Sequence, residues 1–165
     1  LARSDEDFLP VYTAQVDITA LCKKVASQMS FLAAEKKLEL KQEIQDNLVM
    51  QGDEMALSRL LIILLDNAMK YSPEQTQITL RAAKVKTHLV LEVRDEGCGI
   101  SDEDKQKIFD RFFRVDKARS RSQGGLGLGL SLALAIVRQH GGSIKGLDNK
   151  PRGTIMYVKL PTAAK

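Results

Sequence analysis

Hydrophobic residues recur along this chain with two different periods, which predict helices and strands. A helical repeat of apolar positions runs through residues 18–35, 54–71 and about 128–139. Alternation of apolar and polar positions predicts strands at about 38–44, 76–85, 88–95, 143–147 and 153–160, with shorter extended pieces from Val16 and at 48–50. The second and third of these strands are expected to form a hairpin. This order of elements favours an α+β fold, with the helices layered on one face of a sheet.

Capping and turn residues mark the ends of the helices. Asp53 is placed to cap the helix at 54–71, and the Ser-Pro pair at 72–73 ends that helix. The His-Gly-Gly sequence at 140–142 is a stop signal for the last helix.

Two stretches lack a lasting period. The first fifteen residues are polar and include Pro10, so they are interpreted as the end of a preceding element and a linker, and the domain is predicted to span 16–165. Residues 96–126 are rich in glycine, serine and charge, with one short helix at most. A connection of this length in a compact domain is usually functional.

Composition narrows the class of protein. The 165 residues are 44% hydrophobic and 28% charged, which is typical of one folded domain. Cys22 and Cys98 are too few for a disulfide scaffold and lack zinc-site spacing, so a reducing compartment fits best. The longest apolar runs have six residues, against about 20 for a membrane span. A net charge of +4 permits an anionic partner, but aromatic residues at 5% without Trp argue against stacking on single-stranded nucleic acid.

The second predicted helix carries an amide on its apolar stripe. Asn67 lies three residues after Leu64 on or beside the buried face, and Lys70 and Tyr71 follow on the same surface. A buried amide is often only a structural hydrogen-bonding group. With a lysine and a phenol beside it, Asn67 is also a suitable ligand for a hydrated divalent ion, and Lys70 suits phosphate oxygens.

An acidic residue ends the strand at 88–95. Asp95 continues the face of Leu89, Leu91 and Val93, so its carboxylate is aimed at the core and needs a donor. Gly97 and Gly99 follow, and we expect them to turn with positive φ and to let a flat ligand approach, with a purine amine as the partner of Asp95. A plain strand-to-turn sequence is the alternative.

Glycines alternate with leucines before the last helix. The run Gly124-Gly125-Leu126-Gly127-Leu128-Gly129-Leu130 predicts a packed loop whose amides bind phosphate at the helix start, rather than a flexible linker. It has neither the Walker nor the dinucleotide-binding spacing.

A basic stretch precedes these glycines, and a solvated face is the ordinary interpretation of such a run. Arg114 is the exception, because it follows the apolar anchors Ile108, Phe109, Phe112 and Phe113 and is placed to reach a phosphate chain. His88 and His140 have no ligand set around them and are interpreted as solvated or capping residues.

Together, the motifs LLDNAMKYSP, DEGCGI, IFDRFFRVD, GGLGLGLSLA and RGT, in this order, resemble the ATP-binding catalytic domain of sensor histidine kinases, with the Bergerat fold shared with gyrase, Hsp90 and MutL. The resemblance covers about residues 16–162. It implies a two-layer sandwich of about three helices on a mixed, mostly antiparallel sheet, with an ATP lid at about 96–126. It also implies that the start of the chain is the end of a dimerisation and phosphoacceptor helix.

The resemblance implies roles for individual residues. Asn67 corresponds to the Mg²⁺ ligand, and Lys70 and Arg114 to phosphate-positioning groups of the catalytic machinery. The residues expected to contact ATP are Asn67, Lys70, Tyr71, Asp95, Gly97, Gly99, Ile100, Phe113, Arg114, Gly125, Leu126, Gly127, Leu128, Gly129, Leu130 and Thr154.

The resemblance further implies a cytoplasmic domain of a membrane-anchored, homodimeric sensor protein. Its partners are ATP or ADP, the parent chain's own phosphoacceptor domain and, indirectly, a response regulator receiver domain; nucleic acid and membrane contact are not expected. Ile63 departs from the family, since many members have Asn or Glu there, and this weakens a gyrase-like or Hsp90-like ATPase. Neither histidine is placed as a phosphoacceptor, so the acceptor is expected on a separate domain. A nucleotide-binding module without phosphotransfer remains the other alternative, although the presence of Asn67 and Asp95 argues against it.

Overall fold

The computed structural model describes residues 13–111 and 129–162. In chain order these form β1 (Ala14–Asp17), α1 (Ile18–Glu35), β2 (Glu39–Ile44), β3 (Val49–Gly52), α2 (Glu54–Tyr71), β4 (Gln77–Val85), β5 (His88–Arg94), α3 (Gly129–Gln139), β6 (Ser143–Asp148) and β7 (Thr154–Pro161). The predicted helices, the hairpin and the two last strands are confirmed. Strand β1 begins at Ala14 rather than Val16, because its pairing with β3 includes Ala14 opposite Gly52.

The strands form two sheets. Five of them make a sheet in the order β2-β4-β5-β7-β6, and β1 pairs with β3 in a separate two-stranded sheet. Only the β2–β4 pair is parallel, whereas β4–β5, β5–β7 and β6–β7 are antiparallel. The prediction of a mixed, mostly antiparallel α+β sheet is therefore confirmed, and β5 lies at its centre.

The hydrophobic core lies between this sheet and the helices. The apolar stripe of α2 supplies Leu57, Leu60, Leu61, Leu64, Leu65, Ala68 and Met69, all of them buried. Alternate residues of the central strands, such as Leu80, Leu91 and Val158, are also buried in this cluster. Within the described ranges, no helix combines the length and the hydropathy that a bilayer span requires.

Side chains of polar residues fix the helix ends. The Asp53 carboxylate accepts a hydrogen bond from the Ala56 amide at 3.2 Å, which confirms its predicted role as the cap of α2. His140 lies buried at the end of α3, where Nδ1 donates to the Ile136 carbonyl at 2.8 Å and Nε2 accepts from the Asp53 amide at 3.0 Å. His140 is thus a cap, as predicted, and it also ties α3 to the start of α2, which the sequence did not indicate.

The sheet face opposite the helices carries a group of charged side chains around Glu92. The Glu92 side chain is 7% exposed and accepts from Arg81 at 3.2 Å and from Arg94 at 2.8 Å. Lys145 lies 5.6 Å from the ring centroid of Tyr157, the residue paired with Glu92 across β7. A buried carboxylate is tolerated at this position because two guanidinium groups compensate its desolvation.

Candidate functional site

A buried carboxylate stands at the end of the central strand. Asp95 is 6% exposed, and its Oδ1 accepts hydrogen bonds from the Gly97 amide at 2.9 Å and the Thr154 amide at 3.1 Å. The sequence predicted that the Asp95 carboxylate faces the core and needs a hydrogen-bond donor. These two amides are donors of that kind. Within the described residues, Oδ2 of Asp95 has no hydrogen-bond partner, so one oxygen is held in place and the other can accept a hydrogen bond from a ligand.

The electrostatics of Asp95 follow from this position. Burial raises the pKa of the carboxyl group, and the hydrogen bonds from Gly97 and Thr154 oppose that rise only in part. A carboxylate that has lost water without gaining a cation is an avid acceptor for a neutral N–H donor. The site therefore suits the exocyclic amine of a base better than it suits a second anion.

Gly97 forms a close backbone contact with the end of α2. A Cβ atom at this position would lie 2.4 Å from the Tyr71 carbonyl oxygen, so only glycine fits. Positive φ was predicted for both glycines, and it is found at Gly99, where φ is +79°, but not at Gly97. The prediction is wrong for Gly97, because steric contact rather than backbone conformation requires glycine there.

The start of β7 closes the opposite side of this pocket. Thr154 is buried, and its carbonyl accepts from the Asp95 amide at 2.9 Å while its own amide donates to the carboxylate. Gly153 has a φ of +109°, and a Cβ there would lie 2.0 Å from the Asp95 carbonyl oxygen. The backbone of the predicted residue Thr154 therefore makes two hydrogen bonds with Asp95, one to its amide and one to its carboxylate.

Two further side chains reach the pocket from the turn between β6 and β7. Neither was assigned a role from the sequence, although Arg152 is the first residue of the motif RGT. The Asn149 amide donates to the Asp95 carbonyl at 2.7 Å, and Arg152 Nε donates to the Gly97 carbonyl at 3.1 Å. In the sequence they are ordinary turn residues on either side of Pro151. Only their pairing with residues more than fifty positions away distinguishes them.

The C-terminal part of α2 presents a second group of polar residues. Asn67 is half-buried, and within the described part of the chain its side chain makes no hydrogen bond. Lys70 is half-buried one turn later and forms an ion pair with Asp66 at 3.2 Å. Tyr71 ends the helix, and its carbonyl is the group in contact with Gly97. The structure thus brings the Asn67 amide, the Lys70 side chain and the pocket around Asp95 to the same end of α2.

The start of α3 lies against α2 at the position of Ile63. A Cβ at Gly129 would lie 3.5 Å from Ile63 Cγ2, and Leu130 packs against the core. The other predicted lid and glycine-loop residues lie outside the described ranges: Phe112, Phe113, Arg114, Gly124, Gly125, Leu126, Gly127 and Leu128. No group of three or more His, Cys, Asp or Glu side chains that could hold a metal occurs within 13–111 and 129–162.

The segment that follows the glycine turn is fixed to the edge of the sheet. Ile108 is buried, and a Cβ at Gly146 would lie 3.2 Å from Ile108 and 3.7 Å from Ile100. Lys105 pairs with Asp102 at 2.6 Å and with Asp148 at 3.0 Å. The predicted contact residue Ile100 is therefore held beside β6, on the same side as Thr154.

Comparison with known proteins decides the family. The sequence model described as "Histidine kinase-, DNA gyrase B-, and HSP90-like ATPase" matches residues 52–164 of this chain, which is more than half of it. The chain belongs to this family. Its range includes Asn67, Asp95 and Thr154, the described residues around which the site is built.

Among the similar proteins are several named as sensor proteins. The sensor protein CiaH of Streptococcus pneumoniae is 42% identical over 160 residues, which cover 97% of this chain and 36% of that protein. The chain spans about a third of the length of the curated relatives it matches.

Solved structures of histidine kinases have the same fold as this chain. The catalytic domain of histidine kinase ThkA has a TM-score of 0.82 at 25% identity and covers 92% of this chain and 97% of that one. Full-length ShkA in complex with AMPPNP has a TM-score of 0.81 at 25% identity, covering 95% and 33%. The chain is thus the ATP-binding domain of a sensor histidine kinase, as the motifs predicted, and it has the fold of that family.

Proposed function

We propose that this domain binds Mg·ATP and that, in its parent protein, it transfers the γ-phosphoryl group to a histidine on a separate dimerisation domain. In that step the bond from the γ-phosphorus to the bridging oxygen of ADP breaks, and a bond to an imidazole nitrogen forms. The phosphoryl group then passes to the receiver domain of a response regulator. Membership of the family and the sensor-kinase relatives support this assignment.

The observation that carries the proposal is the arrangement of Asp95. Its Oδ1 is held by two backbone amides, and its Oδ2 is the oxygen left to accept from the N6 amine of adenine. Because the group is buried, this hydrogen bond forms where water competes poorly, and it discriminates strongly against bases that lack the amine. Gly97, Gly99, Ile100 and Thr154 form the walls around it. A complex of the similar ShkA with AMPPNP supports this choice of ligand.

The residues of α2 fit the phosphate and metal end of the same nucleotide. Mg²⁺ usually keeps several waters and binds few protein ligands in addition to phosphate oxygens, so one amide oxygen from Asn67 is a sufficient protein contribution. Lys70, half-buried one turn away, is placed to exchange its Asp66 partner for a phosphate oxygen. Arg114 and the glycine loop residues are proposed as further phosphate contacts from the lid. The bound Mg²⁺ neutralises phosphate charge, whereas the protein contributes position and electrostatic stabilisation.

The structure argues against a water-activating ATPase of the gyrase or Hsp90 type. The position four residues before Asn67 is Ile63, which packs where α3 begins and supplies neither a carboxylate nor an amide. General-base activation of water needs a titratable group within hydrogen-bond reach of it. Phosphotransfer to an imidazole, which is itself a nucleophile, does not need such a base.

Neither histidine of this chain is a phosphoacceptor in the proposal. His88 starts β5, and both ring nitrogens of His140 are engaged between α3 and α2. We therefore propose that the acceptor belongs to a domain outside residues 16–165, in a parent that is a homodimeric, membrane-anchored sensor with this domain in the cytoplasm. The names of the relatives, which are sensor proteins, support a sensor protein as the parent.

The base assignment is tested by Asp95→Asn in titration calorimetry with AMPPNP and Mg²⁺. Asparagine keeps the carbonyl that accepts from Gly97 and Thr154, but it replaces the free acceptor by a donor. Affinity should fall about a hundredfold or more. Glu96→Gln is the matched control, because Glu96 makes the same kind of acceptor contact, to the Gln77 amide at 2.8 Å, outside the pocket. Equal affinities of the two variants would overturn the assignment.

The transfer step is tested with labelled ATP. Incubated alone, the chain should acquire no acid-labile phosphate, and addition of a phosphoacceptor domain should give label on that domain only. Binding of nucleotide without transfer to any acceptor would favour the nucleotide-binding module instead. Label on the present chain would contradict the placement of the acceptor elsewhere.

A further inference from the structure

We infer that the turn between β6 and β7 positions the base pocket, with Asn149 and Arg152 as positioning residues for nucleotide recognition. The clasp, as we call it here, comprises Asp148 at the end of β6 and the turn at 149–153, and it contacts the strand end and glycine turn at 95–105. The inference rests on the proposed function, since it explains how the Asp95 carboxylate is oriented to bind the base. It assigns a role to two side chains that carry no expected nucleotide contact.

The first contact of the clasp orders the peptide that carries the carboxylate. Asn149 Nδ2 donates to the Asp95 carbonyl at 2.7 Å, and the backbone amide of Asn149 donates to the Gly153 carbonyl at 3.0 Å, which closes the turn on itself. The Asp95 amide is held by Thr154 at 2.9 Å. Both polar groups of the Asp95 backbone are therefore fixed by residues of the clasp or of the strand that follows it.

The second contact orders the peptide that holds the carboxylate oxygen. Arg152 Nε donates to the Gly97 carbonyl at 3.1 Å, and Gly97 in turn donates its amide to Asp95 Oδ1 at 2.9 Å. Glycine has the largest freedom of any residue, so an unsupported Gly97 peptide could rotate and release Oδ1. The arginine removes that freedom from outside the pocket.

A third contact holds the next part of the chain. Asp148, at the first position of the clasp, pairs with Lys105 at 3.0 Å, beside the buried Ile108 and the pocket residue Ile100. An exposed ion pair contributes little by itself. The position of this ion pair matters more than its strength. It attaches the segment that carries Ile100, one wall of the pocket, to the clasp, which orients Asp95 on the other side.

These contacts together determine where Oδ2 of Asp95 points. Oδ1 is bound to Gly97 and Thr154, Gly97 is bound to Arg152, and the Asp95 carbonyl is bound to Asn149. Preorganised acceptors discriminate between ligands because they do not move to satisfy the wrong one. The clasp is therefore expected to affect the choice between adenine and a base without the amine, and not only overall affinity.

The clasp can be altered without unfolding the domain. Arg152 is exposed and lies in a turn at the edge of the pocket, outside the hydrophobic core. Arg152→Met keeps the side chain as far as the position of Nε and removes the donor there, whereas Arg152→Gln places an N–H donor at that position without the charge. Arg59→Met, at an exposed position of α2, is the control for loss of a surface arginine.

The experiment combines calorimetry with amide hydrogen exchange in the present chain. ADP and inosine diphosphate, which lacks the amine, are titrated into each variant, and exchange of the Gly97 amide is measured by NMR without nucleotide. Arg152→Met should weaken ADP binding about three- to tenfold, leave inosine diphosphate binding nearly unchanged, and accelerate Gly97 exchange. Arg152→Gln should restore both properties, and the melting temperature of each variant should stay close to that of the parent. Asn149→Ala should act in the same direction.

Each readout can overturn the inference. Equal weakening of ADP and inosine diphosphate in Arg152→Met would show a nonspecific effect, and unchanged Gly97 exchange would show that the arginine does not order the turn. Loss of ADP binding in Arg59→Met as well would assign the effect to net charge. If the unaltered chain binds neither nucleotide while Gly97 exchange still responds to Arg152→Met, then the proposed function fails and the positioning of the pocket stands.

Discussion

The two ends of the candidate nucleotide site are built in different ways. At the base end, Asp95 is buried and linked by backbone and side-chain hydrogen bonds to its neighbour Gly97 and to Asn149 and Thr154, which lie more than fifty residues further along the chain. At the phosphate end, Asn67 and Lys70 are half-buried side chains on one helix, and Lys70 is paired with its neighbour Asp66. One end is held by several hydrogen bonds from distant residues, whereas the other consists of half-buried side chains on a single helix.

This difference fits the two tasks of the phosphoryl transfer proposed above. Recognition of a base requires acceptors in fixed positions, because discrimination depends on what cannot move. Transfer of a phosphoryl group requires cations and amides that engage phosphate and metal as the charge distribution changes, and then release ADP. A half-exposed lysine with a replaceable carboxylate partner suits the second task, whereas a buried and cross-linked aspartate suits the first.

The largest effect is expected from breaking the rigid end. In Gly153→Ala the new Cβ would lie 2.0 Å from the Asp95 carbonyl oxygen, at a residue whose φ is +109°. Overpacking and backbone strain together should lower the free energy of unfolding by about 3 kcal/mol or more. Urea denaturation measures this loss, and ADP binding should disappear with it.

Gly141→Ala is the control for that variant. Its φ is +74°, but the nearest atom to the new Cβ would be Pro161 Cγ at 3.7 Å. It should therefore carry only the conformational cost, about 1–2 kcal/mol. Equal losses for the two variants would mean that the contact with Asp95 does not constrain the pocket.

Intermediate effects are expected on the affinities of AMP, ADP and Mg·AMPPNP when each end of the site is altered in turn. Asp95→Asn should weaken AMP, ADP and Mg·AMPPNP by a similar factor, since all three contain the base. Asn67→Ala should leave AMP unaffected and reduce the gain in affinity that Mg²⁺ gives to AMPPNP, by about tenfold. Calorimetry with and without Mg²⁺ separates these patterns, and Ser58→Ala on the same helix is the control. Retention of full Mg²⁺ dependence in Asn67→Ala would remove that residue from the metal site.

The smallest effect concerns pH. Because burial raises the pKa of Asp95 in the folded chain, the folded state holds this proton more tightly than the unfolded state does. The stability contributed by Asp95 is therefore present at low pH and is lost as the pH rises through the raised pKa. Relative to the unaltered chain, Asp95→Asn should be more stable at neutral pH, and this advantage should shrink on acidification. Thermal unfolding between acidic and neutral pH tests the sign, and a constant difference would contradict it.

The sequence allowed much of the fold to be predicted, because the relevant signals are local. Helix α1 and helix α2 were predicted with the bounds that the structure shows, since each has a strong apolar stripe and an aspartate cap. The burial of Asp95 followed from strand alternation, since the next inward position after Val93 faces the core whatever residue occupies it.

Other parts of the site depend on contacts between distant positions, which no local pattern reveals. Asn149 and Arg152 act on carbonyl groups 54 and 55 residues away, and His140 reaches the Asp53 amide across 87 residues. The error at Gly97 has the same origin. A glycine in a turn suggests positive φ, whereas the actual constraint is the Tyr71 carbonyl, which belongs to another element.

That contact between Gly97 and Tyr71 has a consequence for the size of the ligand. Tyr71 ends the helix that carries Asn67 and Lys70. Gly97 lies two residues after Asp95, the residue proposed to bind the base. Because the two backbones touch without a side chain between them, the separation between the two ends of the site is set by main-chain geometry alone. For the proposed nucleotide, this contact would therefore fix the distance from base to phosphate, and a single added methyl group at Gly97 would change that distance.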